Sequence, residues 1–321
     1  MKRELGCIGL FALALAGLTA LSSSGVVLNA ILMTLYAALL AQAWNILGGF
    51  GGQFSFGHAL FFGVGAYASA VAQVSHGINA WVALGLAVLL AAAVGAFVGA
   101  LAFRYGLKGS YFALVTLAFA EVFRILALSA DFTGGGVGMM LPLKPAVAHL
   151  QFGSRHGFIA VVGGCVVLAL LLTAWLRHSR FGAQLQAVRD NEDAARAVGV
   201  DPYGTKLIAT ALSAAFMGVA GAIYLQLFQY IDPGIVFGSA VSVEALVGAI
   251  VGGLGTVWGP LLGALVLHTL AEATRNLFGA LPGLNMVIYG TVLVGIVMFA
   301  PRGLAGLGRS VRDVWKAQRR G

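Results

Sequence analysis

The sequence predicts an all-α fold, a polytopic transmembrane helical bundle of about ten spans with some broken helices. Three observations carry this. Of 321 residues, 60% are apolar and 9% charged, with a mean hydropathy of +0.94. Soluble domains run at about 45–50% apolar and about 25% charged, so a water-soluble globule of this length would lack the charge to coat its surface. The apolar residues gather into runs near the ~20 residues that a helix needs to cross a bilayer. Those runs lack the period-two alternation of barrel strands, and only helices and closed barrels satisfy the backbone inside lipid. The same composition excludes disorder, and 46 glycines without a triplet period exclude collagen.

In chain order the runs cover residues 5–21, 26–47, 54–74, 80–103, 111–130, 157–176, 207–230, 239–251, 260–277 and 283–300, the eighth being short. The first follows a basic start and ends in small residues, so it reads either as a span or as a signal peptide. Its length exceeds most signal-peptide apolar cores, and retention is the expectation. Orientation comes from charge. With the N-terminus inside, most of the 19 lysines and arginines fall on inside segments: Lys2 and Arg3; Arg104 and Lys108; residues 177–206; and the tail, 301–321. Either fate of the first run leaves the C-terminus cytoplasmic. The surplus over 11 acidic residues therefore reflects membrane orientation, not nucleic-acid binding. Residues 1–321 read as one transmembrane domain. Cys7 and Cys165 lie within apolar runs and read as small buried hydrophobes.

A search for catalytic chemistry returns negatives. No G-x-x-x-x-G-K-[ST] phosphate loop occurs, and residues 106–110 have the wrong spacing. The six histidines are scattered, with no H-E-x-x-H helix, so no metal site is expected. Ser55 and His58 share helical spacing, but no G-x-S-x-G elbow surrounds the serine. A polar pair along a pathway or interface is the preferred reading, with a membrane-embedded enzyme as the rival.

Two glycine-rich interruptions are more informative. Residues 48–58, Gly-Gly-Phe-Gly-Gly-Gln-Phe-Ser-Phe-Gly-His, precede the third run, and residues 252–260, Gly-Gly-Leu-Gly-Thr-Val-Trp-Gly-Pro, precede the ninth. Such density weakens helices. Each reads either as a tight cytoplasmic turn or as a broken helix of the kind that binds substrate near a membrane midplane. The expected pathway is Gly51, Gln53, Phe54, Ser55, Phe56, Gly57 and His58, with Phe61 as a further wall. Small residues at 95/99 and 248/252 suit close helix packing. Ionisable residues inside spans are costly. Glu121/Arg124 and Glu272/Arg275 stand three apart and read as intramembrane ion pairs that clamp helices. Glu244 has no such partner and joins the pathway candidates.

Residues 177–206 form the longest polar stretch between runs. Phe181, Leu185 and Val188 recur at helical spacing. Asp190 or Asn191 then caps a short helix, with Glu192 and Asp193 in its first turn, Arg196 near its end, Gly199 as its stop and Pro202 beyond. Too short to be stable alone, it reads as an element held out in the cytosol to dock in a partner's groove.

Here the sequence resembles the permeases of branched-chain amino acid ABC transporters, specifically the M-type subunit of the high-affinity import system. The motifs are residues 179–182 with 187–200, then 51–58, 109–117, 252–260 and 299–304, in order across nearly the whole chain. The resemblance implies a type II ABC importer-like fold in a bacterial inner membrane. It also implies a second homologous permease, two cytosolic ABC ATPase subunits and a periplasmic substrate-binding protein. ATP and Mg²⁺ then belong to the ATPase, and no cofactor to this chain. Arg189, Asp190, Asn191, Glu192, Asp193, Ala194, Ala195, Arg196 and Gly199 become the coupling helix, and the cargo is expected to be leucine, isoleucine or valine. Relatives of the family also carry urea, short amides and other amino acids. The rival from another class is a proton-coupled secondary transporter using Glu121, Glu244 or Glu272.

Overall fold

A computed structural model of the chain describes residues 1–278 and, beyond them, 287–288, 290–291, 294–295, 298 and 303–306. The tenth predicted run and the basic tail lie largely outside the described residues. Helix α1 covers Lys2–Leu21 and α2 covers Gly25–Trp44, the latter extended by a π turn, Asn45–Phe50. Next come α3 (His58–Val74), α4 (Ala80–Arg104), α5 (Gly109–Ser129) and α6 (Arg155–His178). Two short helices, α7 (Arg180–Asp190) and α8 (Glu192–Ala197), lead into α9 (Pro202–Phe228). The one-turn α10 (Pro233–Val236), α11 (Ser239–Gly252) and α12 (Gly259–Phe278) follow.

Among the described residues, seven helical stretches are long and apolar enough to cross a membrane, and α3 is a shorter apolar one. These helices sort the charge. Glu4 on α1 pairs with Arg177 at 3.0 Å and His178 at 2.8 Å on α6, so the start of α1 and the end of α6 share one end of the bundle. Arg104, Lys108, Lys206 and α7–α8 gather there too, and we term it the basic end. At the opposite end Asn29 meets Arg155. A two-residue ribbon there pairs β1 (Met139–Met140) with β2 (Tyr230–Ile231), tying the α5–α6 connection to the end of α9.

Small side chains set the central packing. Ala83, Ala87, Ala91 and Gly95 recur every fourth residue down α4 and are buried. Gly95 faces Ala214, and Gly218 faces Ala87 and Ala91, where an added Cβ would collide. Without a water-driven hydrophobic force between helices in lipid, such close approach is what holds them. The large buried side chains Trp44, Phe61 and Phe62 fill the space where α2, α3 and α9 diverge.

Candidate functional site

The first glycine-rich interruption lies inside the bundle, not at its surface. Ser213 is the twelfth residue of α9, about 16 Å along the axis from that helix's start at the basic end. Its hydroxyl donates to the Ala43 carbonyl at 2.7 Å, and its oxygen then accepts from His58 Nε2 at 2.9 Å. Ala43, His58 and Ser213 thus share one depth. From there the π turn descends towards the basic end, and residues 51–57 climb back without helical hydrogen bonding. The helix of the third run therefore starts at His58, not at residue 54, and its 17 residues span only about 25 Å. Gly48 is required in the π turn because the Trp44 indole lies where its Cβ would stand.

His58 is consequently a fully buried strut between helices. The Ser55 hydroxyl is not its partner. The Ser55 hydroxyl accepts from the Gly57 N–H at 3.2 Å, and its carbonyl accepts from Trp44 Nε1 at 2.9 Å. The nucleophile–base pair that a membrane enzyme would need is not formed. Of the expected pathway residues, Phe54 and Phe56 are exposed and Gln53 is partly so, whereas Gly51, Ser55, Gly57 and His58 are buried. Phe61 is buried as well and meets the His58 ring edge-on.

The second interruption packs against the first. Asn45, in the π turn, accepts from the Gly255 N–H at 2.9 Å and donates to the Thr256 carbonyl at 3.0 Å. Gln42, one turn earlier, donates to the Val257 carbonyl at 2.7 Å. A Cβ on Gly49 would strike Asn45 and the Gly255 backbone, so the two breaks meet glycine to glycine. Gly303 returns onto Gly253 with a φ of +66°, placing the end of the described chain on the same joint. Both interruptions are thus broken helices within one packed unit.

Helix α7 closes this joint from the basic end. Ser179 caps it by accepting from the Gly182 N–H at 3.0 Å, and Leu185 and Val188 are buried beneath it. Arg189 reaches inward: its Nη1 donates to the Gly49 carbonyl at 2.7 Å, with its stem over Gly52 and its guanidinium beside Gly255. Asn191 then caps α8 by accepting from the N–H groups of Asp193 and Ala194. Gly199, at a φ of +87°, turns the chain out of the helix.

Helix α8 is not held away from the body, as its charge pattern alone suggested. Glu192 turns inward, 14% exposed, to Lys206 at 3.1 Å and Lys108 at 3.3 Å. Lys206 is 1% exposed, and its ammonium lies 4.7 Å from the Phe103 ring centre. The expected coupling residues therefore divide. Arg189, Glu192 and the buried Ala195 anchor the element, while Asp190, Asn191, Asp193, Ala194, Arg196 and Gly199 face outward. Val198 adds a bare apolar side chain to that outer face, 79% exposed.

The charges within spans also separate. Glu121 and Arg124 form the expected pair, with Arg124 Nε donating at 2.9 Å. It lies within α5 and shows no ion pair to a second helix among the described residues, so the interhelical clamp expected of it is not what this pair forms. Glu272 lies on α12, and the side chain of Arg275 is outside the described residues. Glu244 lies exposed on α11, within electrostatic reach of Tyr36 and Tyr224. Ser242, two positions earlier, is the α11 residue that meets the break, accepting from the Ala59 N–H at 2.8 Å. Gln42, Asn45, Ser213 and Lys206 escaped the sequence reading. The signal for the first two was present as polar side chains in an otherwise apolar run.

Comparison with known proteins places this arrangement. The family model described as branched-chain amino acid transport system / permease component matches residues 26–298, from the second residue of α2 onward. The high-affinity branched-chain amino acid transport system permease protein LivM of Escherichia coli (strain K12) is 30% identical, over 96% of this chain and 76% of its own length. LivH of the same organism, with the same description, is 26% identical over 84% of this chain and 91% of its own. The autoinducer 2 import system permease protein LsrC of Salmonella paratyphi B is 28% identical over 56% of this chain and 53% of its own. No solved structure matches the chain. These relatives are permease subunits, not enzymes, and this chain has helices long and apolar enough to cross a membrane. It belongs to the family of permease components of branched-chain amino acid transport systems.

Proposed function

We propose that this permease is one half of a two-permease, ATP-driven importer that carries branched-chain amino acids inward across a bacterial inner membrane by alternating access. The basic end and the C-terminus face the cytoplasm, an orientation that the basic loops support. Two ABC ATPase subunits dock there and bind ATP and Mg²⁺, and a periplasmic binding protein delivers the amino acid at the ribbon end. The observation that carries the reading is α8. It is a capped helix at the basic end with a bare outer face and an anchored inner one.

The anchors supply a route for motion. A push on α8 reaches α9 through Glu192–Lys206 and α5 through Glu192–Lys108. Arg189 carries it to both breaks through Gly49 and the adjoining Gly255. Segments of broken helix can shift relative to one another without unwinding a full span, which suits an element that opens to alternate sides.

Proteoliposomes holding the complete transporter test this. Leucine uptake is expected to require ATP and the binding protein and to persist when an uncoupler abolishes the proton gradient. Uptake that needs no ATPase and collapses with the gradient would overturn the proposal in favour of a secondary transporter.

A further inference from the structure

Glu121 and Arg124 are an ionised pair that the chain itself leaves uncovered. Glu121 is the thirteenth residue of the 21-residue α5, about 18 Å along the axis from its start, which is mid-membrane depth. Its carboxylate accepts from Arg124 Nε at 2.9 Å and Nη2 at 2.5 Å, with side-chain exposures of 53% for Glu121 and 30% for Arg124. The helix is held along one stripe only: Phe112, Ala113, Thr116, Ala120 and Ala127 are buried. Charges at this depth face water or protein, because lipid cannot solvate them.

Gly57 packs on the backbone of Thr116, so the break that carries the exposed Phe54 and Phe56 lies against α5. Glu121 and Arg124 stand one to two turns beyond that contact, towards the ribbon end. The break and the helix it adjoins thus carry exposed aromatic rings and, further out, one cation and one anion. An α-amino acid carries the same complement: an apolar side chain, one carboxylate and one ammonium.

Resting on the import reading above, we propose that the Glu121–Arg124 pair lines the amino acid's route and recognises its zwitterion. Arg124 takes the carboxylate through its planar fork, and Glu121 accepts hydrogen bonds from the ammonium. At rest each side chain neutralises the other. The arriving substrate divides the pair and replaces both partners, so no uncompensated charge is ever exposed and no net charge is added to the helix.

Two measurements test this. In native membranes, with Cys7 and Cys165 replaced by alanine, Glu121→Cys and Arg124→Cys should react with a water-soluble thiosulfonate reagent. Failure of both to react would overturn the proposal by placing the pair against lipid or buried protein. In the reconstituted transporter, Arg124→Gln and Glu121→Gln should each lower leucine uptake about tenfold or more, the scale of a lost charge-assisted hydrogen bond. Arg124→Lys should retain more uptake than Arg124→Gln. The double variant Glu121→Gln/Arg124→Gln discriminates further, since it leaves no unpaired charge. A purely structural pair predicts near-normal uptake there, which would overturn the proposal, whereas zwitterion recognition predicts a loss at least as large as in the single variants. Labelling needs no ATPase, so labelled cysteines beside proton-driven uptake would fail the import reading while keeping the pair on the route.

Discussion

Replacing Glu192 by lysine is expected to abolish ATP-coupled uptake while leaving the spans inserted. Glu192 is the counter-charge of Lys206, which is almost wholly buried beneath α8, and it also holds Lys108. Removing one partner of a buried ion pair typically costs about 3–5 kcal/mol, because the remaining charge loses its compensation. A helix of six residues has no intrinsic stability to set against that loss. Asp193→Lys is the control: its carboxylate is outward and exposed, so α8 should remain folded. Hydrogen exchange across residues 192–198 separates the two variants. The same anchor has a defined pH dependence. Burial pushes the Glu192 carboxyl up, but the hydrogen bonds and charges of Lys206 and Lys108 outweigh it and hold it below the ordinary 4.5. A depressed folded value means that the contribution is complete above the unfolded value and fades as pH falls through the folded one. Exchange in α8 should therefore stay slow at neutral pH and quicken only below about 4.5.

Arg189→Ala should produce the second large effect, by a different route. It leaves the Gly49 carbonyl without its 2.7 Å donor and opens the space between the two breaks. An orphaned buried acceptor costs about 1–3 kcal/mol. That falls short of unfolding the bundle but is enough to misplace two segments held by few side chains. The expected result is ATP hydrolysis that continues while leucine uptake falls at least about tenfold. Arg189→Lys should restore little, because a point charge cannot reproduce a planar group placed between Gly49 and Gly255. Normal uptake in Arg189→Ala would remove α7 from the transmission route.

The membrane spans were legible because lipid imposes one simple requirement, a long apolar helix, and seven of the described helical stretches meet it. The ends of α8 were legible for an equally local reason: Asn191 and Gly199 act on backbone within three residues of themselves. Depth was not legible. Residues 48–58 read equally as a surface turn, and only the shared level of Ala43, His58 and Ser213 places them inside the bundle. Pairings across the fold were hidden for the same reason. Asn45 meets Gly255 from 210 positions away, and nothing in either local sequence names the other. Glu192 illustrates the general difficulty. Its place in the first turn of α8 was readable from helix chemistry, but not that Lys206 lay beneath it. That lysine had served in the sequence only as one of the basic residues that set orientation.

Docking of a partner on α8, anchored on its inner side and free on its outer one, is the core of the proposed mechanism. It is tested most directly by purifying the tagged chain in mild detergent and identifying what accompanies it, with and without Val198→Asp. Val198 supports nothing in the fold and stands almost bare, so the substitution should alter only the outer face. An ABC ATPase and a second permease are expected to accompany the unaltered chain, and Val198→Asp is expected to lose the ATPase but keep the permease. An ATPase retained in equal amount by Val198→Asp, or a chain that emerges alone in both cases, would contradict it.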